Sequence, residues 1–283
     1  MVQNFCHKEI KLIVLDLDGT LLNSEKIITP ATYAALEQAA AKGIHIVPCT
    51  GRFYDGMPEQ VRSLPFVRYA ITINGAEVYD VQEKRSLSSA LISPEKADEV
   101  FSVLDTLPVI YDCYQDNWGW MDQTFYDIAE QYTMGEVRPE WIRLMRTPVN
   151  NFRQTIAARN RGVQKIQMFF QSLDVRAETL AALRKRFPEL VITTALVNNI
   201  EINSCYAHKG RALLELCSYL GIDPAATMAF GDGLNDVTVL QTAALGVAMA
   251  NADPAVKEVA DYITDSNDDD GVAKAIRRFC FSK

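Results

Sequence analysis

Short, uninterrupted runs of hydrophobic residues recur in the first and last parts of the chain, and polar residues follow each run directly. Residues 11–15 of KLIVLDLDGTLL precede Asp16 and Asp18, and residues 44–49 of IHIVPCTGR precede Thr50. Such runs are typical of parallel strands that are buried on both faces. Helical segments lie between the runs, so the pattern predicts an α/β fold with a Rossmann-like, doubly wound parallel sheet.

The pattern changes between roughly Lys84 and Asn198. Here hydrophobic and polar residues tend to alternate, as they do in half-exposed antiparallel strands, and aromatic residues are dense. We therefore predict a core formed by residues 1–83 and 199–283, with an inserted α+β domain at residues 84–198. The aromatic residues are expected in the core of the insert rather than in a stacking platform. The arginines of the insert are interpreted as a solvated face, with steering of anions as the alternative. They are Arg138, Arg143, Arg146, Arg153, Arg159 and Arg161.

Turn and capping residues mark the ends of several elements. A helix is expected from about Pro30, with Thr29 as its N-cap. Asn74 and Gly75 lie between two alternating hydrophobic runs and predict a type I′ hairpin turn, with a ligand contact from Asn74 as the alternative. The acidic run at residues 265–271 lacks the glycine register and the closing glutamate of a calcium loop. It is interpreted instead as a negatively charged N-cap of the helix that follows.

The composition is that of an ordinary globular protein, with 283 residues of which 48% are hydrophobic and 23% are charged. A net charge of -8 disfavours a partner with a phosphate backbone, so no nucleic acid is expected. The six cysteines form no CxxC pair and are interpreted as reduced thiols. The N-terminal segment lacks a long hydrophobic stretch, and no run approaches the length of a membrane span. We therefore expect a cytoplasmic protein with no membrane partner.

The first polar cluster is a candidate for catalysis. Asp16 and Asp18 are two residues apart on an extended segment, which brings both carboxylates toward one small site. The alternative is that one aspartate caps a helix and the other ends a strand. Thr50 and Gly51, at a strand-to-helix turn, would direct a hydroxyl and backbone N–H groups toward an anion. A simple turn or N-cap at Thr50 fits the sequence equally well.

Two later segments add charged groups. Lys209 lies at the start of a predicted helix, where a cation opposes the macrodipole unless an anion lies against it; a lysine that extends into solvent is the alternative. In GDGLND, Asp232 follows a predicted strand and Asp236 lies at the start of the next helix. Together with Asp16 and Asp18, these carboxylates would repel one another unless a cation neutralises them. Hard oxygen ligands favour Mg²⁺.

The ordered set DLDGT, TGR, HKG and GDGLND resembles the motifs of the haloacid dehalogenase (HAD) superfamily of phosphotransferases. The insert between the second and third motifs resembles the Cof-type branch, subfamily IIB, with its C2-type cap. NGAEVYD, GVAMANA and DYITDSNDDDGVAKAI are similar as well, so the resemblance covers nearly the whole core and is thin across the insert. It implies a Mg²⁺-dependent phosphatase of small phosphomonoesters, such as sugar phosphates or phosphorylated cofactors, whose cap closes over the core and selects the leaving group.

The resemblance also implies a role for each motif residue. Asp16 matches the nucleophile, which forms an aspartyl-phosphate, and Asp18 matches the general acid and base. The implied phosphate-binding positions are the Leu17 amide, Thr50, Gly51, Lys209 and Asn235. The implied Mg²⁺ positions are Asp16, the Asp18 carbonyl, Asp232, the Gly233 backbone and Asp236, where Asp236 orients the site or holds Lys209. Cys49 is expected to be a small buried thiol and not a nucleophile.

Two other functions stay open at this point. A phosphomutase would pass the phosphoryl group to a second hydroxyl, but the sugar mutases of the superfamily carry a different cap, placed after the first motif. A catalytically idle phosphate-binding or regulatory protein is the third hypothesis, and the intact pair Asp16 and Asp18 argues against it. The expected partner is a small phosphorylated molecule, and the chain is expected to be a monomer or a weak homo-oligomer.

Overall fold

The computed structural model describes residues 9–132, 134 and 139–281, and the chain divides into two compact units. One unit is formed by Met1–Ser89 with His208–Lys283, and the other by Ala90–Ala207. Among the described residues, no helix combines the length and the hydrophobicity needed to cross a bilayer.

The strands are short and are distributed over three sheets. In chain order they are β1 (Leu12–Leu15), β2 (His45–Pro48), β3 (Tyr69–Thr72), β4 (Glu77–Asp80), β5 (Arg85–Ser89), β6 (Ile110–Gln115), β7 (Trp118–Asp122), β8 (Arg146–Val149), β9 (Lys165–Phe169), β10 (Leu190–Thr193), β11 (Asn199–Ser204), β12 (Thr227–Gly231), β13 (Leu245–Ala248) and β14 (Tyr262–Ile263).

The α-helices lie between the strands. They are α1 (Pro30–Ala41), α2 (Glu59–Arg62), α3 (Pro94–Leu104), α4 (Gln123–Ile128), α5 (Pro139–Leu144), α6 (Phe152–Ala158), α7 (Leu173–Arg186), α8 (Lys209–Leu220), α9 (Val237–Thr242), α10 (Pro254–Val259) and α11 (Gly271–Ile276). A π-helical turn, Arg277–Phe281, follows α11.

The first unit contains a parallel sheet in the order β14-β13-β12-β1-β2. All four residues of β1 are fully buried, as the uninterrupted hydrophobic run predicts. Leu15 at the end of β1 pairs with Pro48 of β2 and with Phe230 of β12. Because the register aligns the carboxyl ends of these three strands, the polar residues that follow them lie at one edge of the sheet.

Helices flank this sheet, and α1 packs against α11 while α8 packs against α9. The prediction of a doubly wound α/β core is therefore confirmed. Thr29 caps α1 as expected, because its hydroxyl accepts a hydrogen bond from the Thr32 amide at 3.2 Å. Asp270 occupies the N-cap position of α11, but its side chain makes no capping hydrogen bond. A negatively charged residue thus lies at the N-terminus of α11, as predicted, without a capping hydrogen bond from its side chain.

The predicted hairpin joins β3 and β4, which form a three-stranded antiparallel sheet with β5. Asn74 has φ 56° and ψ 29°, and Gly75 has φ +90°. The Ala76 amide donates to the Ile73 carbonyl at 3.0 Å, which completes a type I′ turn. Gly75 is required by packing as well, since a Cβ there would lie 2.4 Å from the carbonyl carbon of His208.

The second unit is an α+β structure built on a six-stranded sheet in the order β10-β11-β9-β6-β7-β8. All neighbouring strands are antiparallel except β7 and β8. One face of the sheet forms a hydrophobic core that includes Tyr111, Ile166 and Ile202 together with Phe101 of α3 and Phe152 of α6. The prediction that aromatic residues build the core of the insert is confirmed for these side chains.

Part of the opposite face is a buried polar network. Arg146 donates from Nε to the Asp112 carboxylate at 3.0 Å and from a guanidinium nitrogen to the Tyr114 hydroxyl at 3.2 Å. Beside them, the Lys165 ammonium donates to the Glu201 carboxylate at 2.9 Å. All these side chains are buried and belong to strands of the same sheet. Each of the two buried cations is paired with a carboxylate, which offsets the cost of its burial.

This network corrects the interpretation of the arginines as a solvated face, because Arg146 is buried. The other described arginines of that set are ion-paired to acidic side chains: Arg143 to Glu130, Arg153 to Asp98 and Asp105, and Arg159 and Arg161 to Asp116. Arg138 lies outside the described residues. The described cysteines are free thiols, and Cys6 lies outside the described residues.

The predicted domain ranges stay a prediction. The boundaries between the two compact units follow Ser89 and Ala207. The first unit includes β5 because β5 pairs with β4, and the second includes β11 because β11 pairs with β9 and β10.

Candidate active site

Three strand ends bring the sequence motifs together at one edge of the parallel sheet. Asp16 follows β1, Thr50 lies beyond the end of β2, and Asp232 follows β12. Asp16 also donates its backbone N–H to the Phe230 carbonyl at 3.1 Å, which extends the pairing of β1 with β12. Lys209, the first residue of α8, approaches the same edge.

Lys209 is the centre of the cluster. Its side chain is fully buried, and Nζ donates to Asp16 Oδ1 and to Asp236 Oδ1, at 2.6 Å in each case. Burial opposes the charged form of Lys209, but the two carboxylates raise its pKa above the ordinary value. The cation that opposes the macrodipole of α8 is thus held by anions that the protein itself supplies. A lysine that extends into solvent is excluded.

Asp236 fixes the turn that follows β12. One oxygen binds Lys209, and the other accepts hydrogen bonds from the backbone N–H groups of Asp232 at 3.0 Å and Gly233 at 2.9 Å. Asp236 is almost fully buried. Its contacts match the predicted role of holding Lys209, and they orient the backbone that carries Asp232.

A set of carboxylates lies where a cation would be held. Oxygens of Asp16, Asp232 and Asp236 lie within 4.8 Å of one another. Burial raises the pKa of Asp16 to about 7 and that of Asp232 to about 6, and neighbouring carboxylates add to both shifts. Three carboxylates face one ammonium, so the cluster keeps an excess of negative charge. This donor set fits a hard divalent cation.

Thr20 and Gly19 hold Asp232 against the first motif. The Thr20 hydroxyl donates to Asp232 Oδ1 at 2.7 Å. Gly19 has φ +90°, and a Cβ there would lie 2.4 Å from Asp232 Oδ2. The glycine of DLDGT is therefore needed both for its backbone conformation and for the close approach of the carboxylate.

Asp18 has an environment opposite to that of Asp16. The Arg52 guanidinium donates to both oxygens of its carboxylate, with Nε to Oδ2 at 3.0 Å and Nη2 to Oδ2 at 2.8 Å and to Oδ1 at 3.1 Å. Lys26 Nζ also donates to Oδ1, at 3.0 Å. Burial alone would raise the pKa of Asp18, but Arg52 and Lys26 together lower it below the usual range. The two aspartates of the first motif therefore lie in separate electrostatic surroundings.

The predicted phosphate-binding residues lie around the same edge. The Thr50 hydroxyl accepts a hydrogen bond from the Arg52 amide at 3.2 Å, so Thr50 also forms the simple turn that the sequence allowed. Asn235 donates from Nδ2 to Asn74 Oδ1 at 3.1 Å, and Asn74 Oδ1 would lie 2.9 Å from a Cβ at Gly51. These contacts bring the second and fourth motifs together. The binding of phosphate by these residues stays a prediction.

The Leu17 side chain is buried, and its carbonyl accepts the Leu22 amide at 2.8 Å. The role of the Leu17 amide stays a prediction, as does metal binding by the Asp18 carbonyl and the Gly233 backbone. Cys49 is fully buried, and burial raises the pKa of its thiol, which matches the expectation of an unreactive cysteine.

Sequence reasoning did not assign four side chains to the candidate site: Thr20, Lys26, Arg52 and Asn74, the last of which it gave only as an alternative ligand contact. Three of them stand within or next to a motif and could have been included for that reason. Lys26 has no motif of its own, because its contact with Asp18 depends on the conformation of the loop after β1.

Comparison with known proteins identifies the family. A family model described as haloacid dehalogenase-like hydrolase matches residues 13–276. YcsE of Bacillus subtilis (strain 168), named as a 5-amino-6-(5-phospho-D-ribitylamino)uracil phosphatase, is 33% identical over 271 residues, which cover 96% of this chain and 96% of that protein.

Solved structures agree with this result. A haloacid dehalogenase-like hydrolase from Bacteroides thetaiotaomicron is similar with a TM-score of 0.79 and 26% identity, over 95% of this chain and 99% of that one. The HAD subclass IIB sugar phosphatase BT4131 has a TM-score of 0.75 and 26% identity, over 95% and 98% of the two chains. The chain therefore belongs to the family of haloacid dehalogenase-like hydrolases, as a phosphatase of its Cof-type branch.

Proposed function

We propose that this phosphatase hydrolyses small phosphomonoesters with Mg²⁺ and forms a covalent aspartyl-phosphate on Asp16. The observation that carries the proposal is the buried arrangement of Asp16, Lys209 and Asp236 beside Asp232. Such a cluster keeps more carboxylates than cations away from solvent. That excess of negative charge supports the binding of a divalent cation and, with it, of a phosphate dianion.

In the first step, an oxygen of Asp16 attacks phosphorus and forms a P–O bond. The bond between phosphorus and the leaving oxygen breaks, and protonated Asp18 gives its proton to that oxygen, so that a neutral alcohol departs. Lys209 holds Asp16 Oδ1 at 2.6 Å, which fixes the orientation of the carboxylate before the attack.

In the second step, Asp18 accepts a proton from water as the water oxygen attacks the same phosphorus. The P–O bond to Asp16 breaks, phosphate departs, and both aspartates return to their starting states. The ion pairs with Arg52 and Lys26 favour the ionised form of Asp18. That is the form which activates water, so these contacts support the hydrolytic half of the reaction.

The remaining residues bind and orient the phosphoryl group. Lys209, the Thr50 hydroxyl, the Asn235 amide and the backbone at Leu17 and Gly51 would donate to the equatorial oxygens. Mg²⁺ would be held by Asp16, the Asp18 carbonyl and Asp232, with the Gly233 backbone and Asp236 beside them. When bound, the cation would offset the charge that develops on the phosphoryl oxygens.

The similarity to YcsE suggests a first substrate. We propose 5-amino-6-(5-phospho-D-ribitylamino)uracil, for which that relative is named. It is the monoester of a primary alcohol on a polyol chain, and its alkoxide is a poor leaving group that needs a proton. A general acid such as Asp18 meets this need.

The test is phosphate release from this compound and from a panel of sugar phosphates, with Mg²⁺ and with a chelator. Asp16→Asn should abolish turnover that depends on Mg²⁺, because the amide cannot form the acyl phosphate. Asp174→Asn removes one exposed carboxylate in the second unit and is the matched control, with turnover equal to wild type.

Two results would contradict the proposal. Phosphate release by Asp16→Asn at the wild-type rate would exclude Asp16 as the nucleophile. Transfer of the phosphoryl group to an added alcohol, without release of inorganic phosphate, would instead identify the chain as a phosphotransferase.

A further inference from the structure

The acidic run at residues 265–271 bonds to the loop that follows the first motif. The Asp268 carboxylate accepts hydrogen bonds from the Ser24 amide at 2.8 Å and from the Ser24 hydroxyl at 2.7 Å. The hydroxyl of Thr29 donates to the Asp270 carboxylate at 2.5 Å. Both acidic side chains are thus engaged by residues 22–29, more than 200 positions away in the sequence.

Two asparagines extend this contact toward the catalytic aspartates. Asn267 Nδ2 donates to the Leu22 carbonyl at 2.9 Å, and Asn251 Nδ2 donates to the Gly19 carbonyl at 2.8 Å. The Asn267 amide donates in turn to Asn251 Oδ1 at 3.1 Å. The backbone from Gly19 to Ser24 is therefore held at three points by the C-terminal part of the chain.

The loop that is held in this way presents Lys26 to Asp18. A turn closes it, because the Lys26 amide donates to the Asn23 carbonyl at 2.9 Å and the Ile27 amide donates to Asn23 Oδ1 at 3.0 Å. On its other side, Gln60 Nε2 donates to the Lys26 carbonyl at 2.5 Å. The position of the Lys26 ammonium, 3.0 Å from Asp18 Oδ1, depends on these supports.

We propose that Asp268 and Asn267 are positioning residues for phosphoryl transfer. They hold residues 22–28 so that Lys26 and the backbone after Asp18 keep the Asp18 carboxylate in the place where it meets the leaving oxygen. This inference rests on the proposed function, since it assigns the acidic run to the step in which Asp18 delivers a proton.

The test compares two leaving groups. p-Nitrophenolate leaves without a proton, whereas the alkoxide of an alkyl phosphate such as glycerol phosphate needs one. The value of kcat/KM covers the steps up to release of the alcohol, so it isolates the proton delivery by Asp18. General acid catalysis contributes about 10²- to 10⁴-fold. A partly misplaced Asp18 should therefore lower kcat/KM for the alkyl phosphate by about tenfold or more.

The variants are Asp268→Ala, Ser24→Ala and Asp268→Asn. The first two remove one side or the other of the same contact, and each should lower kcat/KM for the alkyl phosphate with little change for p-nitrophenyl phosphate. The third keeps an acceptor for Ser24 and should restore part of the loss. Asp269→Asn is the matched control, because Asp269 is an exposed neighbour of Asp268. In the part of the chain that the structure describes, its carboxylate accepts a hydrogen bond only from the Ser266 hydroxyl of its own segment, at 2.6 Å.

The outcomes separate the inference from the proposed function. An equal loss for both substrates, or no loss for either, would overturn the inference while phosphatase activity stands. An Asp269→Asn variant that matches Asp268→Ala would also overturn it, since the effect would then come from charge alone. A wild-type protein that releases no phosphate from any ester would overturn the proposed function and this inference together.

Discussion

Removal of divalent cations should make the stability of this protein depend strongly on pH, in a direction that is set by the carboxylate cluster. Burial raises the pKa of Asp16 from 3.8 to about 7 and that of Asp232 from 3.8 to about 6. A carboxyl group whose pKa is higher in the folded protein binds its proton more tightly when folded. It therefore contributes stability that is present below the unfolded pKa and is lost as pH rises through the folded pKa.

The size of the effect follows from these pKa values. One pKa unit corresponds to about 1.4 kcal/mol, so the chelated protein should lose about 2–4 kcal/mol of folding free energy between about pH 5 and about pH 8. For a chain of this size, the loss corresponds to a decrease in Tm of roughly 4–16 °C. Mg²⁺ should oppose the loss, because it binds the ionised carboxylates and competes with protons.

The assay is thermal unfolding at a series of pH values, with chelator and with Mg²⁺. Histidines titrate in the same range, but burial lowers the pKa of His45 and His208, so they change stability in the opposite direction. Subtraction of the curve for Asp16→Asn removes these contributions and isolates the part of the pH dependence that requires the Asp16 carboxylate. Mg²⁺ at about 100 times its dissociation constant should add about 2.7 kcal/mol near pH 8 and less near pH 5.

Two results would refute this reasoning. The first is a chelated protein whose Tm does not fall between about pH 5 and about pH 8. The second is an Asp16→Asn variant that keeps the full pH dependence, since the dependence would then have a different origin.

Three further substitutions test individual contacts. Lys209→Met leaves two buried carboxylates without their cation and should cost about 3–5 kcal/mol in urea unfolding and abolish phosphate release; activity within tenfold of wild type would contradict this. Arg52→Lys keeps the charge beside Asp18 but loses the bidentate contact, so kcat for alkyl phosphates should fall by about tenfold; an unchanged kcat would show that charge alone suffices. Arg146→Met strands the buried Asp112 carboxylate and should cost about 3–5 kcal/mol in the same unfolding assay, and the added change Asp112→Leu should restore most of that loss. A double variant as unstable as Arg146→Met would contradict the ion-pair explanation.

Much of the parallel sheet could be predicted because its signals are local. The hydrophobic run at residues 11–15 predicts β1 to within one residue, and the strand predicted directly before Asp232 is β12. Asp16 and Asp232 could be assigned to one edge of the sheet because parallel strands share the direction of their carboxyl ends. Lys209 and Asp236 were added from their positions at helix starts, where a lysine indicates a nearby anion.

The contacts between distant segments could not be predicted. Nothing in the sequence near Ser24 indicates that its partner is Asp268, because one carboxylate on an exposed acidic run looks like any other. Arg146 was placed on a solvated face for a similar reason, since burial of a charged residue depends on a partner from another strand. Pairing of that kind is a property of the folded chain rather than of any local window.

The two aspartates of DLDGT show how the fold assigns different chemistry to identical side chains. Asp16 has one cation, which it shares with Asp236, and lies near a third carboxylate, so its negative charge is held at a cost that a divalent cation would offset. Asp18 is ion-paired to two cations, Lys26 and Arg52, so its charge is already compensated. Metal binding should therefore lower the pKa of Asp16 far more than that of Asp18. Asp16, the nucleophile, would depend on the cation for its ionised form, whereas Asp18, which activates water, would not. Loss of Mg²⁺ should therefore impair the attack of Asp16 on the ester more strongly than the activation of water by Asp18.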